Sequence, residues 1–191
     1  KSMPNVTVKN RSQVFGYYDH NMLVMSERIS DHLPKTQKYL PKQRLWYIRA
    51  NEVLISSGSI ERPLVFGNND TPGVMLSSAA KEYMKVYGVL VGKKPLIFTN
   101  NDSGYETAIE FKKNGVNPII LDTRSNPSSD IITEAKNLNI EIRFSYVVVA
   151  AKGYKKVKSA DIAKISDDKK ELFNIENIEC DCICVSGFWT P

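Results

Sequence analysis

The chain has 191 residues, and at roughly 150 residues per domain this sets a prior of one domain with an appendage or two small ones. Hydrophobic residues at 42% and charged residues at 25% are the balance of an ordinary soluble globular protein, which excludes disorder, collagen and a membrane-span composition. Lys+Arg 26 against Asp+Glu 21 leaves +5, yet the cations (Lys35, Lys42, Lys93, Lys112, Lys155, Lys169) are scattered along the sequence, so no dense stripe points to nucleic acid.

In chain order, residues 13–18, 22–28 and 44–49 carry aromatic, β-branched and long apolar side chains, separated by Asp19-His20-Asn21 and a polar break over 30–42; this predicts a three-stranded meander. Glu52-Val53-Leu54-Ile55 reads as a strand buried on both faces that ends in Ser56-Ser57-Gly58. Pro63 and residues 67–73 form an ordered loop. Residues 74–87 place Leu76, Ala79, Ala80, Tyr83, Met84 and Tyr87 at 3/4 spacing, an amphipathic helix that Gly88 ends. The middle third alternates strand 95–99, helix 103–113, strand 118–122, helix 128–138 and strand 140–144, a βαβαβ succession that predicts a parallel, right-handed, doubly wound sheet. Residues 145–151, 154–165 and 170–178 predict a second meander, closed by a buried strand at 183–185. The fold class is therefore α/β, with a partial nucleotide-binding domain, β-meanders and a nested three-layer module. Residues 1–91 form the end of one nucleotide domain, 92–144 the nested module, and 145–191 a meander with a return strand to the first domain.

Cys180, Cys182 and Cys184 alternate, so on one strand all three face the same way as small half-buried hydrophobes. Such neighbours do not close a disulfide readily, which fits a reducing, cytoplasmic compartment. A metal site would need His20 or His32 as a further ligand. No signal peptide opens the chain and no apolar run reaches roughly 18 residues, so no membrane span is expected. Position 1 is Lys and the chain stops at Pro191 just after an apolar strand; a fragment of a longer protein is expected.

The turn Thr99-Asn100-Asn101-Asp102-Ser103-Gly104 stands where a Gly-rich loop would cradle a pyrophosphate. It holds one glycine, and two Asn side chains fill the space of the phosphates. It reads as a degenerate, non-binding turn, with Asp102 or Ser103 as helix N-cap. Asp122, roughly 20 residues on, is either a ribose ligand or a loop aspartate. Ser56, Ser57, Gly58 and Ser59 are the stronger candidate, a strand exit small enough for backbone to meet a dinucleotide, or else simply a tight exit. Ser186-Gly187 repeats that pattern. Arg62 is either an anion partner or a loop pair with Glu61 or Asp70, and His20 is a catalytic candidate or a turn residue. No catalytic triad order, CxxC or metal spacing occurs.

The string Glu61-Arg62-Pro63-Leu64-Val65-Phe66-Gly67-Asn68-Asn69-Asp70-Thr71-Pro72-Gly73-Val74-Met75-Leu76 resembles the α subunit of heterotetrameric sarcosine oxidase. Val14-Phe15-Gly16-Tyr17-Tyr18-Asp19-His20-Asn21 and Asp181-Cys182-Ile183-Cys184-Val185-Ser186-Gly187-Phe188-Trp189-Thr190-Pro191 are similar to it at the same relative places. The resemblance implies oxidative demethylation of sarcosine to glycine with oxygen and tetrahydrofolate, giving hydrogen peroxide and 5,10-methylenetetrahydrofolate. It also implies FAD in a β subunit, FMN at the α/β interface, NAD in the α subunit, and smaller subunits as further partners. The family's strand exit ends Ala-Thr-Gly where this chain has Ser56-Ser57-Gly58, a change that keeps a role beside NAD. On this reading the segment is scaffold and carries no catalytic residue. The alternatives are an α subunit of a related two-subunit amine, opine or proline dehydrogenase, and an interaction module that binds no nucleotide.

Overall fold

Strands β1 (Ser12–Tyr18), β2 (Met22–Arg28) and β3 (Gln43–Arg49) pair antiparallel in the order β1-β2-β3, as the aromatic and β-branched runs predict. The computed structural model describes residues 3–35 and 38–191 and divides into two units, Lys1–Ser57 and Gly58–Pro191. Residues 36 and 37, inside the predicted break at 30–42, lie outside the described residues. The β1–β2 turn places His20 and Asn21 at positive φ, and Tyr17 Oη donates to Asn21 Oδ1. His20 is thereby an exposed turn residue. Across β2 and β3, Trp46 Nε1 donates to Glu27 Oε2 at 2.7 Å, and the ammonium of Lys9 stands 4.3 Å from the indole centroid. The Trp46 hydrogen bond, assisted by Lys9 and Arg44, holds the Glu27 carboxyl below its ordinary range.

The strand predicted at 52–55 does not form. This segment joins no sheet among the described residues, and Leu54 is 93% exposed. A strand buried on both faces needs a pairing neighbour and cover on each side, and the sheet of the first unit is complete without it.

In the second unit a short ribbon joins β4 (Ile60–Glu61) to the last strand. The order then runs β5 (Val74–Leu76), α1 (Ser77–Tyr87), β6 (Pro95–Thr99), α2 (Ser103–Lys113), β7 (Ile119–Asp122), α3 (Asp130–Asn137) and β8 (Glu141–Phe144). It continues with β9 (Tyr146–Lys152), β10 (Ser159–Ile165), β11 (Leu172–Glu179), β12 (Cys182–Ser186) and β13 (Trp189–Thr190). Residues 74–76 are a strand, which corrects the predicted helix start: Val74-Met75-Leu76 pair with Ile183-Cys184-Val185, and the helix begins only at Ser77. Gly88 ends it in the left-handed conformation.

Five strands form one parallel sheet in the order β5-β12-β6-β7-β8. Side chains alternate across it. Ile97, Ile120, Cys182 and Cys184 pack with Ala80, Met84, Tyr105, Ala108, Phe111 and Ile132 of the three helices. Leu96, Phe98, Leu121, Ile183 and Val185 pack with Val148, Ala151, Ala160 and Ile162 of the β9-β10-β11 meander. The sheet is therefore not doubly wound by helices: helices cover one face and the antiparallel meander covers the other, because residues 145–179 alternate with strand period and their apolar side must be buried. The boundaries read at 91/92 and 144/145 fall inside this second unit, whose sheet draws β5, β6 and β12 from all three segments. No helix of the described residues is long and apolar enough to cross a membrane.

The three cysteines also separate. Cys182 and Cys184 face the helices, while Cys180 lies before β12 begins and packs on the meander side. All three are buried free thiols. Burial pushes the Cys180 thiol up to about 12, and the contact with the Cys182 sulfur, with full burial, raises Cys184 as well.

Candidate functional site: a closed nucleotide turn

Open parallel sheets bind ligands beyond the carboxyl ends of their strands, where the order reverses. Here that point lies between β6 and β12, since β6 continues through α2 to β7 on one side and β12 stands on the other. The β6–α2 turn occupies it. Asn101 Nδ2 donates to the Ser186 carbonyl at 3.2 Å, and Asn100 Nδ2 donates to the Gly187 carbonyl at 3.0 Å. Two amides thus tie the turn to the exit of β12. Thr99 Oγ1 donates to the Asn101 carbonyl and accepts the Asn101 N–H, which pins the turn from below.

The N-terminus of α2 is also engaged. Asn101 Oδ1 accepts the Ser103 N–H at 2.8 Å, and Trp189 Nε1 donates to Ser103 Oγ at 2.8 Å. The expected cap at Asp102 or Ser103 is corrected: Asp102 has helical φ and ψ and no capping bond of its side chain, because its carboxylate turns 2.8 Å from the Arg124 guanidinium. The single glycine of the turn serves packing, since a Cβ on Gly104 would stand 2.7 Å from Thr99 Cβ.

Asp122 is neither a free loop residue nor an open ribose acceptor. It is fully buried. Oδ1 accepts from the Arg124 N–H and Nε, and Oδ2 accepts from Tyr105 Oη at 2.6 Å and Arg124 at 2.8 Å. Burial first, then the Asp122 contact, pushes the Tyr105 phenol well above its ordinary range. Burial opposes the Arg124 charge, but Asp122 and Asp102 outweigh it and hold the guanidinium protonated. A pyrophosphate at this turn would need the amide that Asn101 caps and the volume of two Asn side chains, and a ribose would need oxygens already saturated. The residues of this turn do not fit a dinucleotide.

The two Ser-Gly segments differ: only Ser186-Gly187 follows a strand. A Cβ on Gly187 would meet the Arg62 carbonyl oxygen at 2.6 Å, so chain 62–64 closes that exit. Gly58, at φ +83, has nothing within 4 Å of a Cβ position, and Ser56, Ser57 and Ser59 beside it are exposed. Arg62 has no ion pair among the described residues; its backbone N–H donates to the Phe188 carbonyl at 2.7 Å. Glu61, buried at 3% exposure, turns inward, and its Oε2 accepts the Ser78 N–H at the start of α1 at 2.7 Å. This acid caps a helix whose own N-cap, Leu76, has no acceptor. Sequence spacing cannot reveal a cap supplied from 17 residues upstream.

No family model matches the chain. It is 36% identical over 192 residues to sarcosine oxidase subunit alpha of Rhizobium meliloti (strain 1021), covering 100% of this chain and 18% of that protein. It is 32% identical over 184 residues to sarcosine oxidase subunit alpha of Corynebacterium sp. (strain P-1), covering 95% and 19%. The chain thus spans about a fifth of the length of these relatives. Among solved structures it is similar to T. acidophilum thioredoxin reductase, with a TM-score of 0.61 and 18% identity over 78% of this chain and 48% of that one. It is also similar to L-proline dehydrogenase from P. horikoshii, with a TM-score of 0.50 and 18% identity over 94% and 28%. The fold is of the FAD/NAD(P)-binding type, and along its whole length the chain is related in sequence to a stretch of the sarcosine oxidase α subunits.

Proposed function

We propose that the chain is a segment of a sarcosine oxidase α subunit that comprises the end of one nucleotide-type domain with a second module nested in it, and that it works as scaffold in a cytoplasmic flavoenzyme. The complete enzyme would convert sarcosine, oxygen and tetrahydrofolate to glycine, hydrogen peroxide and 5,10-methylenetetrahydrofolate. FAD and FMN, with a β subunit and smaller subunits, would supply the redox chemistry. The sequence relation of this chain to a fifth of the named α subunits carries this reading. The closed turn supports the scaffold role: Asn100, Asn101, Trp189 and the Asp122–Arg124 pair occupy their polar groups with one another and with the exit of β12. Ser56, Ser57, Gly58 and Ser59 would line one side of an NAD site, offering backbone amides and no bulk.

The test is sarcosine-dependent oxygen uptake by the natural polypeptide carrying these residues, purified with its partner chains, with and without tetrahydrofolate. Dehydrogenation of proline with no response to sarcosine would overturn the substrate. Gly58→Trp should expel bound NAD from that polypeptide; retention of NAD would place the cradle elsewhere.

A further inference from the structure

Six lysines from two separate stretches of sequence gather at the amino end of the parallel sheet. Lys93 and Lys94 precede β6, Lys152 ends β9, and Lys155, Lys156 and Lys158 follow in the loop to β10. Backbone hydrogen bonds bind these stretches together: Lys158 N–H donates to the Lys152 carbonyl, Cys180 N–H to the Lys158 carbonyl, and Asp181 N–H to the Lys94 carbonyl. The nearby acids are already engaged. Asp161 pairs with Lys152 at 2.9 Å and Glu179 with Lys94 at 2.7 Å, while the Asp181 carboxylate accepts the N–H groups of Lys93 and Lys94. Among the described residues Lys93, Lys155, Lys156 and Lys158 have no carboxylate in ion-pair reach.

The loop that presents them is held in one shape. Gly153 has φ +150 and the Lys156 carbonyl folds onto the place of a Cβ, so only glycine fits. Val157, fully buried, anchors the loop through its N–H on the Pro72 carbonyl. At the apex Tyr154 is 92% exposed. Its ring and the stems of Lys155, Lys156 and Lys158 line a hollow of about 410 Å³.

We infer that this loop is a docking point for an acidic face of a partner protein. An aromatic side chain ringed by unpaired cations on a rigid support has the composition of an interface anchor with a steering rim. The feature is a single hairpin loop with one aromatic, whereas a polynucleotide needs cations spread along a backbone path with several stacking rings. The inference rests on the proposed function only in taking the chain to work with partner chains.

The experiment uses the natural polypeptide and its co-purified partner chains, separated and recombined. Lys155→Glu with Lys156→Glu is compared with Lys112→Glu plus Lys113→Glu, which changes net charge equally on α2. The loop pair should lower the association rate about tenfold or more and flatten its salt dependence, with the α2 pair near wild type. Tyr154→Ala should instead speed dissociation. Equal effects of the two charge pairs, no effect of either, or a polypeptide that purifies alone overturns the inference. So does unchanged assembly with loss of binding to duplex DNA or phosphatidylserine vesicles. Oxygen uptake with sarcosine is read separately on the assembled complex, so failure of the substrate reading remains distinguishable.

Discussion

Removing the Asp122 carboxylate tests whether the turn is closed as described. Asp122→Ala leaves the buried Tyr105 hydroxyl without its 2.6 Å acceptor, a cost of about 1–3 kcal/mol. It also strips Arg124 of its bidentate partner, and breaking a buried pair costs about 3–5 kcal/mol. Arg124 is partly exposed and keeps Asp102 at 2.8 Å, so its share falls toward the low end. The expected loss is about 4 kcal/mol for the second unit, or roughly 10–15 °C in Tm. Tyr105→Phe, which keeps the ion pair, should cost about 1 kcal/mol, and Asp122→Asn should fall between the two. Thermal and urea unfolding followed by circular dichroism, with NAD present and absent, reads this out. Two results would refute the reasoning. One is a loss under 1 kcal/mol for Asp122→Ala. The other is NAD-dependent protection of wild type that Asp122→Ala abolishes, since this would make the carboxylate a ribose ligand.

Gly104→Ala should destabilise by about 1–2 kcal/mol in urea titration, because overpacking against the buried, hydrogen-bonded Thr99 exceeds the gain in helix propensity; a stabilised variant would contradict the packing role. Phe188 holds φ +139 while 61% exposed, so Phe188→Gly should raise stability by about 1 kcal/mol as relief of strain exceeds the entropy of glycine, and a lower Tm would count against strain there. The buried cysteines should resist iodoacetamide at pH 8 in the native protein and react in 8 M urea, as only the thiolate is nucleophilic; rapid native labelling would show local opening. The Glu27 carboxyl, lowered in the folded protein, contributes stability above its unfolded value that is lost as pH falls through the folded one. Trp46 fluorescence should therefore change on acidification below the ordinary carboxylate range, a transition that Glu27→Gln removes.

Local chemistry was sufficient for most of the elements. Aromatic and β-branched runs between polar breaks gave the first meander, alternation gave the second, and 3/4 spacing with a following glycine gave α1, because each of these depends on residues within a few positions of one another. What lies between the elements was not legible. Val74-Met75-Leu76 became a strand only because β12, more than 100 residues away, supplies a parallel partner, and 52–55 failed to become one for want of a neighbour. Glu61 capping α1, Arg124 saturating Asp122, Trp189 on Ser103 and the gathering of lysines at one end of the sheet all join residues through space. Such contacts depend on which strands lie side by side, and long-range pairing is decided by burial of whole faces rather than by any residue's own preference.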